Sequence, residues 1–533
     1  MRFFTVSYFI AALAVTSYAQ NIIQPVWTTM ENTTGSGNLH LPYLVQDTAH
    51  HIFICTDAYQ PGPGLGFYVS KHDQNGNFLW KTIHQAPGSD VIYSAATDNE
   101  GSIYVGGNSY SLVLGTSQHI VIKYDADGEK QWSYAYQDTS AVGKFLSKLI
   151  VLPDQDLLVV GSFVDVPASN SGMLVTRLHP DGSIVWTATY DAGTNNYTTR
   201  DAIVKDGRLI VWGHWGNAEG TGFFCWQLDL EGNTLEGHAT EAYSDDFQHH
   251  FTTGADGNLY VGDYYGEYKI TKFKCNGETA WQYNKPVIIP PSPNQSYARL
   301  SCIQADSLGN VFGAGSIFTD SLGWLELTTR LDSNGTLIWE HSIMLENAGL
   351  AGPLKGITLD DGRFMITGTV TTNPDSNHYQ YFLALYNADG FEWAGMTFLP
   401  GPRHLADALC QDGNSIYVAG VSQPDPPEEK QHFISKYFLS DLVSGAGAPF
   451  LSVQPRPVYP NPFHDVLSMD LEQPSGPFRL SITDHTGKTV RTQQGTLSGG
   501  SIRVEQLGHL PAGVYTVHVV AGGAVFAGRA VKE

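Results

Sequence analysis

The chain has 533 residues, which is more than one hydrophobic core usually spans, so several domains or an array of repeats are expected. Only 15% of the residues are charged, whereas glycine (56 residues) and aromatic side chains (12%) are abundant, as is typical of an all-β protein. The formal net charge of −23 gives an acidic surface that repels phosphate backbones and anionic lipid. We therefore expect no nucleic-acid partner.

The N-terminus combines Arg2, an apolar run over residues 3–15 and a small-x-small triplet at residues 17–19. This order predicts a signal peptide over residues 1–19, cleaved between Ala19 and Gln20. A buried apolar strand is the alternative. No later run approaches the ~20 apolar residues of a membrane-spanning helix, so we expect no transmembrane segment in the mature chain.

A short pattern recurs through the chain, approximately [K/R]-x-[D/N]-x-x-G-x-x-x-W, and KYDADGEKQW from Lys123 to Trp132 is one copy. Pairs such as Asn75-Gly76 predict tight hairpin turns that need a positive φ. Successive copies are 52, 54, 50, 45, 58 and 55 residues apart, measured between the turn glycines Gly76, Gly128, Gly182, Gly232, Gly277, Gly335 and Gly390. A period near fifty residues indicates a repeat architecture.

A second pattern precedes the first: a turn followed by a β-branched and aromatic run, as in DNEGSIYVGG from Asp98, in eight copies of which two are weak. Each unit therefore predicts four strands, a to d. Strand a has small residues and lies innermost, strand b ends near a glycine such as Gly107 or Gly213, and strand d carries the tryptophan. Four-stranded units at this spacing predict the blades of a β-propeller.

The last unit has strands a, b and c but no tryptophan after them, whereas Trp27 stands alone before the first unit. We expect the N-terminal segment to supply strand d of the last blade, near Lys436, which removes free sheet edges. Strand d then carries, in chain order, Trp27, Trp80, Trp132, Trp186, Glu236, Trp281, Trp339 and Trp393. The fold prediction is an all-β, eight-bladed β-propeller over residues 20–441. Seven blades with a β-sandwich extension is the alternative.

The a–b and c–d turns of such blades lie on one face, and the b–c and d–a connections lie on the other. The second set is longer and irregular, for example over residues 108–118 and 284–297. Variable loops on a rigid scaffold usually carry recognition, so this long-loop face is the candidate binding surface. Its candidate contacts are Trp215, Tyr264, Tyr265 and Tyr283. Local packing of these aromatic side chains is the alternative.

After Asp441 the composition changes. Residues 442–457 are rich in Gly, Ala and Pro and predict a linker, and residues 458–533 predict a β-sandwich of short strands. Its motifs are Tyr459-Pro460-Asn461-Pro462, then Asp484 with Gly487 and Lys488, then Leu510-Pro511-x-Gly513-x-Tyr515, and a closing strand with Arg529 and Lys532.

This segment resembles the type A C-terminal sorting domain of the type IX secretion system of Bacteroidetes. His485 departs from an often apolar position, and Arg529 from a common lysine. The resemblance implies export by the general secretory route and recognition of the tail by the type IX machinery, followed by release or attachment to surface lipopolysaccharide. An unrelated immunoglobulin-like module is the alternative. The repeat region resembles bacterial propeller repeats of the SBBP type, which bears on fold and not on function.

Few residues suggest chemistry. The D-A-D-G and D-Q-N-G segments begin like calcium loops but have no acidic residue at the twelfth position, so structural turns are predicted. The tryptophan repeat resembles that of eight-bladed quinoprotein dehydrogenases, but the spacing differs and no adjacent cysteines occur. Neither His50-His51 nor His249-His250 suits a metal, because neighbours on a strand point to opposite faces.

No catalytic residue, metal ligand or cofactor is assigned, and no GxSxG, HExxH or phosphate-binding loop occurs. The five cysteines are widely spread and predict buried thiols with at most one bridge. We predict a secreted or cell-surface binding or adhesion module whose extracellular ligand is a glycan or a protein. The alternative is a propeller enzyme with its site in the channel, quinone-dependent or hydrolytic, which two acidic residues with shifted pKa converging there would favour.

Overall fold

The computed structural model describes residues 15–18, 23–32, 42–59, 64–84, 89–111, 116–136, 141–165, 170–190, 195–217, 219–241, 249–263, 268–285, 298–319, 323–345, 351–373, 378–397, 403–423, 431–444, 453–456, 458–471, 476–484, 489–497, 500–521 and 524–533. The predictions made for Ala19, Gln20, Tyr264, Tyr265, Gly487 and Lys488 lie outside the described residues.

The regular structure is almost entirely antiparallel β-sheet, organised as groups of four strands. The first strands are β1 (Val15–Tyr18) and β2 (Trp27–Asn32). Group 1 contains β3 (Tyr43–Gln46), β4 (Ile52–Tyr59), β5 (Leu65–His72) and β6 (Phe78–His84). Group 2 contains β7 (Ser89–Thr97), β8 (Ile103–Ser111), β9 (Thr116–Tyr124) and β10 (Lys130–Ala135). Group 3 contains β11 (Ala141–Val151), β12 (Leu157–Asp165), β13 (Asn170–Leu178) and β14 (Ile184–Tyr190). Group 4 contains β15 (Asn196–Lys205), β16 (Arg208–Asn217), β17 (Gly220–Asp229) and β18 (Thr234–Ala239).

The remaining groups repeat this order. Group 5 contains β19 (His249–Thr253), β20 (Leu259–Asp263), β21 (Tyr268–Phe273) and β22 (Thr279–Lys285). Group 6 contains β23 (Ala298–Ala305), β24 (Val311–Thr319), β25 (Gly323–Leu331) and β26 (Leu337–Leu345). Group 7 contains β27 (Ala351–Thr358), β28 (Phe364–Asn373), β29 (His378–Asn387) and β30 (Gly390–Thr397). Group 8 contains β31 (Arg403–Asp412), β32 (Ser415–Gln423) and β33 (Gln431–Phe438), with β2 as its fourth strand.

The groups follow one another around an axis. Strand a of each group contacts strand a of the next, from β3 through β7, β11, β15, β19, β23 and β27 to β31, and β31 contacts β3. Groups 7 and 8 also share a parallel bridge between Tyr379 and Arg403, so their strands form one continuous sheet. The described residues between Trp27 and Phe438 therefore form an all-β propeller of four-stranded antiparallel blades.

The middle strands of a group are buried on both faces, because each group packs between two neighbours. Seven of the eight residues of β5 and seven of the ten residues of β16 are buried, whereas β6 alternates between exposed and half-buried residues and β18 is exposed throughout. Strands buried on both faces need near-continuous apolar runs, which explains sequences such as the IYVGG segment from Ile103. The outer strand, which is covered on one face only, needs apolar residues at every second position.

The N-terminal strand closes the ring as predicted. β2 pairs antiparallel with β33, and Trp27 lies opposite Lys436. From the same strand, Glu31 reaches group 1, where its carboxylate accepts hydrogen bonds from the hydroxyls of Tyr68 (2.8 Å) and Ser70 (2.9 Å) and forms an ion pair with His72. Burial alone would raise the pKa of Glu31, but the hydrogen bond and charge of His72, together with the hydrogen bonds from Tyr68 and Ser70, outweigh burial and the net pKa is lowered.

Six tryptophans on strand d make the same contact across the boundary between groups. Each indole Nε1 donates to the carbonyl two residues before the turn glycine of the next group, at 2.8–3.3 Å; the pairs are Trp27–Gln74, Trp80–Ala126, Trp132–Pro180, Trp186–Leu230, Trp281–Ser333 and Trp339–Ala388. The indole also lies against the glycine: a Cβ at Gly128 would be 2.6 Å from the Trp80 ring. The turn glycine is thus required for contact as well as for its φ of +89°.

The boundary between groups 4 and 5 has no such tryptophan, because Glu236 occupies the position on β18 and is exposed. A disulfide between Cys225 on β17 and Cys275 joins the two groups instead. Cys275 lies two residues before Gly277, at the position whose carbonyl accepts the indole hydrogen bond elsewhere. The covalent bond therefore takes the place of the tryptophan contact. Cys55, Cys302 and Cys410 are free, so the prediction of at most one bridge is confirmed.

The boundary between groups 7 and 8 differs again. Group 8 has no c–d turn, because its strands c and d come from opposite ends of the repeat region. A short helix, α1 (Leu439–Ser444), follows β33 there. Trp393 of β30 is buried in one cluster with Leu439 and Leu442 of the helix. Trp393 thus packs against the helix, whereas the tryptophans of most other groups pack against the c–d turn of the next group.

The turn prediction is confirmed at its glycines: Gly76, for example, has a φ of +82° and closes a turn by donating its N–H to the Asp73 carbonyl. One detail corrects the sequence interpretation. Strand b does not end near the glycines: Gly107 lies mid-strand in β8, which continues to Ser111. A Cβ at Gly107 would be 2.0 Å from the Val91 carbonyl oxygen, so the glycine permits close approach of strand a.

The C-terminal segment forms a separate two-sheet unit. One sheet contains β34 (Val453–Pro455), β37 (Gly476–Asp484), β38 (Thr489–Leu497), β40 (Gly513–Ala521) and β41 (Ala524–Lys532). The other contains β35 (Val458–Tyr459), β36 (Leu467–Asp470) and β39 (Ser501–Val504), and apolar side chains of both sheets form one core. β34 falls within the predicted linker of residues 442–457 and pairs with β41, so the sheet includes residues before Val458.

The predicted signal peptide contains one described strand. β1 pairs parallel with β26 at the outer edge of group 6, with Val15 opposite Ser342. Removal of residues 1–19 would delete this strand and leave the four strands of group 6 complete. Cleavage after Ala19 stays a prediction.

Candidate functional site

A repeated irregularity shapes the inner rim of the ring. Strand a of six groups contains a bulge, and the residue left out of the ladder occupies the same position in each: Tyr93, Ser147, Arg200, Ser301, Leu354 and Asp407. A bulge bends its strand and re-aims the extra side chain. All six residues stand five positions before the first residue of the four-residue a–b turn, a regular spacing that is visible in the sequence but was not used to predict the bulges.

Two cavities lie at the end of the groups where strand a begins and strand b ends, which is the long-loop face. The first, which we call the aromatic groove, spans groups 2 and 3, has a volume of about 390 Å³ and is lined by Ser89, Val91, Tyr93, Asn108, Tyr110, Ser117, Gly143, Phe145 and Val164. The second, the arginine pocket, belongs to group 4, has a volume of about 290 Å³ and is lined by Asn196, Thr198, Arg200, His214, Gly216, Asn217 and Thr221.

Three aromatic side chains are presented together in the aromatic groove. Tyr93 and Tyr110 are each 44% exposed and Phe145 is 41% exposed. Tyr93 is a bulge residue, Tyr110 lies on the extension of β8 beyond Gly107, and Phe145 lies on β11. All three are therefore held by strands, although the sequence analysis assigned residues 108–118 to a loop.

Hydrogen bonds between groups fix the walls of the groove. The Asn108 side-chain oxygen accepts from the backbone N–H of Leu146 at 2.8 Å, and the Ser117 hydroxyl donates to the Lys144 carbonyl at 3.3 Å. Both contacts join group 2 to group 3. The strands that carry the aromatic rings are therefore held together by hydrogen bonds across the boundary between groups 2 and 3, which pre-organises the rings for a ligand.

The arginine pocket has a different character. Arg200, another bulge residue, is exposed and donates from Nε to Nδ1 of His214 at 3.2 Å. Burial of the guanidinium lowers the pKa of Arg200, and the nearby Tyr93 opposes that shift. Tyr93 of the aromatic groove is therefore near enough to Arg200 of the arginine pocket for the two charges to interact.

One of the bulge residues is an acid with a shifted pKa. Burial raises the pKa of Asp407 to about 6, and the charge that acts against this shift is that of Lys355 from group 7. The bulge residues are a mixture of aromatic, hydroxyl, apolar and charged side chains. The described bulge residues therefore do not form a uniformly apolar lining, and one of them, Asp407, is acidic.

Two of the predicted contact residues, Trp215 and Tyr283, are less exposed than the aromatic side chains of the groove. Trp215 is on β16 and only 8% exposed, because it packs with Tyr197 and Phe224 in a buried cluster. Tyr283 is on β22, half-buried, and packs against the core shared by groups 5 and 6. Local packing, the alternative considered for these aromatic residues, accounts for both positions.

The predicted structural turns are confirmed. Asp125 accepts the backbone N–H groups of Asp127 and Glu129 with one side-chain oxygen, as a turn-forming aspartate does. His50 and His51 contact different carboxylates, those of Asp412 and Asp47. Within the described ranges, no set of three or more His, Cys, Asp or Glu side chains could hold a metal ion.

The tail motifs anchor the last strand. The Asn461 side chain accepts from the N–H of Val531 at 2.8 Å and donates to the Arg529 carbonyl at 3.0 Å, while Pro460 and Pro462 flank it. Tyr515, beyond Gly513, donates its hydroxyl hydrogen to the Pro511 carbonyl at 2.8 Å. Asp484 ends β37, opposite Tyr515.

A family profile described as "Secretion system C-terminal sorting domain" matches residues 457–533. Residues 457–533 are a type IX secretion sorting domain. The sorting domain directs the protein out of the cell, to the surface or the extracellular space, and implies interaction with the type IX machinery. Among the described residues, no helix is long and apolar enough to cross a membrane.

No curated protein matches the chain. Solved structures that resemble it include the WD40 domain of SCAP from fission yeast, with 8% identity and a TM-score of 0.41, covering 78% of this chain and 99% of that one. Polysaccharide lyase Uly1 has 8% identity and a TM-score of 0.40, covering 82% and 94%. The β-propeller domain of the Trilobed protease from Pyrococcus furiosus has 10% identity and a TM-score of 0.36, covering 68% and 98%. At these values nothing about function is inferred from them.

Proposed function

We propose that this protein is an exported eight-bladed β-propeller that binds carbohydrate through the aromatic groove on its long-loop face. Each four-stranded group is one blade in this proposal, since a single bridge between Tyr379 and Arg403 joins groups 7 and 8. The mature chain begins at Gln20, the ring extends to about residue 441, and the sorting domain follows.

The observation that carries the proposal is the exposure of three aromatic rings in one mainly apolar groove that also contains three polar side chains. Tyr93, Tyr110 and Phe145 offer flat apolar faces, and the hydroxyls and amide of Ser89, Asn108 and Ser117 lie beside them. A sugar ring presents an apolar face of C–H groups and an edge of hydroxyls, so it can satisfy both kinds of surface at once. An apolar side chain of a protein partner would match the aromatic rings but would leave the polar groups of the groove without a partner.

Rigidity supports the same conclusion. The rings are mounted on strands whose ends are hydrogen-bonded between groups, so little conformational entropy is lost when a ligand binds. An extracellular address also gives access to polymers that do not enter the cell, and the sorting domain supplies that address.

The test uses the full exported chain on a glycan array, followed by titration of the best oligosaccharide by calorimetry. The double variant Tyr110→Ala/Phe145→Ala should weaken binding at least about tenfold, because aromatic anchors dominate such contacts. Phe78→Ala is the matched control: Phe78 is 51% exposed but begins strand d, at the opposite face of the ring. Binding of proteins but of no glycan would overturn the carbohydrate assignment, and an equal effect of the control would overturn the site.

A further inference from the structure

We propose that the arginine pocket is an anion subsite, so that the glycan held on the aromatic groove carries a carboxylate or sulfate on a sugar placed at Arg200. This inference rests on the proposed function and deepens it, because it names the chemical feature that the ligand must have. It depends on a different cavity, in group 4 and not in groups 2 and 3.

The first observation is the state of the guanidinium. In a chain with 52 acidic and 29 basic residues, Arg200 makes no ion pair among the described residues. By contrast, Arg177 contacts Asp154 and Asp156, and Arg363 contacts Asp361 and Glu392. An arginine at a pocket wall without a carboxylate partner can accept the negative charge of a ligand, because its planar guanidinium matches a carboxylate or sulfate.

The second observation is how Arg200 is held. An arginine can only donate, so Nδ1 of His214 is the acceptor of the 3.2 Å hydrogen bond and the proton of the neutral ring is on Nε2. This bond occupies Nε of Arg200. Within the described ranges its two terminal amino groups have no hydrogen-bond partner, so they can take the fork geometry that matches a carboxylate or sulfate.

The third observation is the lining. None of the seven residues of the pocket is acidic, and four of them, Asn196, Thr198, Asn217 and Thr221, carry neutral amides or hydroxyls. The Asn217 oxygen accepts from the N–H groups of Glu219 and Gly220, at 2.7 and 3.2 Å, and its amide donates to Asn195. The wall beside Arg200 is thus ordered, polar and uncharged, as an oxyanion of a sugar requires.

The net charge of −23 acts against any anion at long range. At physiological ionic strength this repulsion is screened over about 8 Å, so contacts inside the pocket decide binding. The balance favours a glycan with one acidic sugar at this position over a densely charged polymer, whose remaining charges would face the acidic surface.

The experiment measures affinity by calorimetry with four probes: an oligosaccharide with one uronic acid, the same oligosaccharide reduced to the alcohol, its 6-sulfated form, and an oligoglutamate peptide. The full chain should bind the uronate or the sulfate form at least about tenfold more tightly than the alcohol. Comparison of the uronate probe with the 6-sulfated probe shows whether the subsite prefers a carboxylate or a sulfate. Tighter binding of the peptide would overturn the proposal.

Arg200→Gln should remove this preference and leave affinity for the neutral alcohol unchanged, and Arg200→Lys should keep part of it. Arg208→Gln is the matched control, since Arg208 lies in the same group at the opposite end of the strands. Unfolding curves of all variants check that the fold is intact. If the alcohol binds as well as the uronate and Arg200→Gln has no effect, the anion subsite is refuted. An effect of Tyr110→Ala/Phe145→Ala in that same case would leave the proposed function standing.

Discussion

Removal of the disulfide between Cys225 and Cys275 should loosen one boundary of the ring and leave the others unchanged. The bond replaces the tryptophan contact between groups 4 and 5, where Glu236 is exposed and cannot dock. The remaining link across this boundary includes the Trp212 indole, which donates to the Gly257 carbonyl at 3.1 Å. The double variant Cys225→Ser/Cys275→Ser avoids an unpaired thiol.

The size of the effect follows from the sequence separation of 50 residues. Loop-closure entropy for a loop of that length gives about 4 kcal/mol as the loss on removing the bond. The estimate refers to the chain entropy of the unfolded state, so retention of structure there would reduce it. Even half this value would be visible as a local loss of protection, because strands at a weakened boundary open more often.

Hydrogen–deuterium exchange read by mass spectrometry measures the effect boundary by boundary. Peptides from β17, β18 and β22 should exchange faster in the double variant, or in the wild type with reductant, while peptides from groups 1, 2 and 7 stay unchanged. Cys410→Ser, which removes a free half-buried thiol, is the control and should change little. Unchanged exchange at the boundary of groups 4 and 5 would refute the idea that the disulfide replaces a tryptophan contact.

Three further outcomes are expected. Glu31→Gln should cost about 3–5 kcal/mol in unfolding free energy, because it breaks a buried ion pair with His72; denaturant titration of the variant measures it. The pKa of buried Glu326 is raised to about 8 by burial, so the stability its protonated form provides is complete below pH ~4.5 and is lost as pH rises through ~8. Glu326→Gln should therefore flatten the fall of the melting temperature between pH ~4.5 and ~8, and an identical fall over that range in both proteins would contradict this assignment. A chain truncated from Val458 onward should accumulate in the periplasm, and its detection in the medium by cell fractionation would refute the sorting assignment.

The repeated contacts were predictable because they have a local signature. Turn glycines, the tryptophan position and the lone Trp27 all stand at fixed spacings, and their structural role depends only on the turn and the outer strand. The pairing of Trp27 with Lys436 was predictable because the last repeat unit has no tryptophan-bearing strand d of its own. Both the missing tryptophan at Glu236 and Cys275 at its acceptor position were visible in the sequence, but the bridge also needs Cys225, whose proximity only the packed strands establish.

The binding surface was harder to predict because its residues depend on bulges. Glycines such as Gly107 are typical of strand ends, whereas in the structure they allow strand a to approach closely beside a bulge. Strand b consequently continues, and Tyr110 lies on a strand instead of a loop. Trp215 continues β16 in the same way, but its ring turns into the packing with Tyr197. Which aromatic side chains face solvent is decided by these local backbone shifts.

The central claim is that a glycan lies across the aromatic groove with its acidic group at Arg200. A crystal structure of the chain with a uronate-containing oligosaccharide tests it most directly. The account predicts a sugar ring stacked on Tyr110 or Phe145 and a carboxylate within hydrogen-bond distance of the terminal amino groups of Arg200. An oligosaccharide bound on the short-turn face, or bound in the groove with its carboxylate directed away from Arg200, would contradict the account.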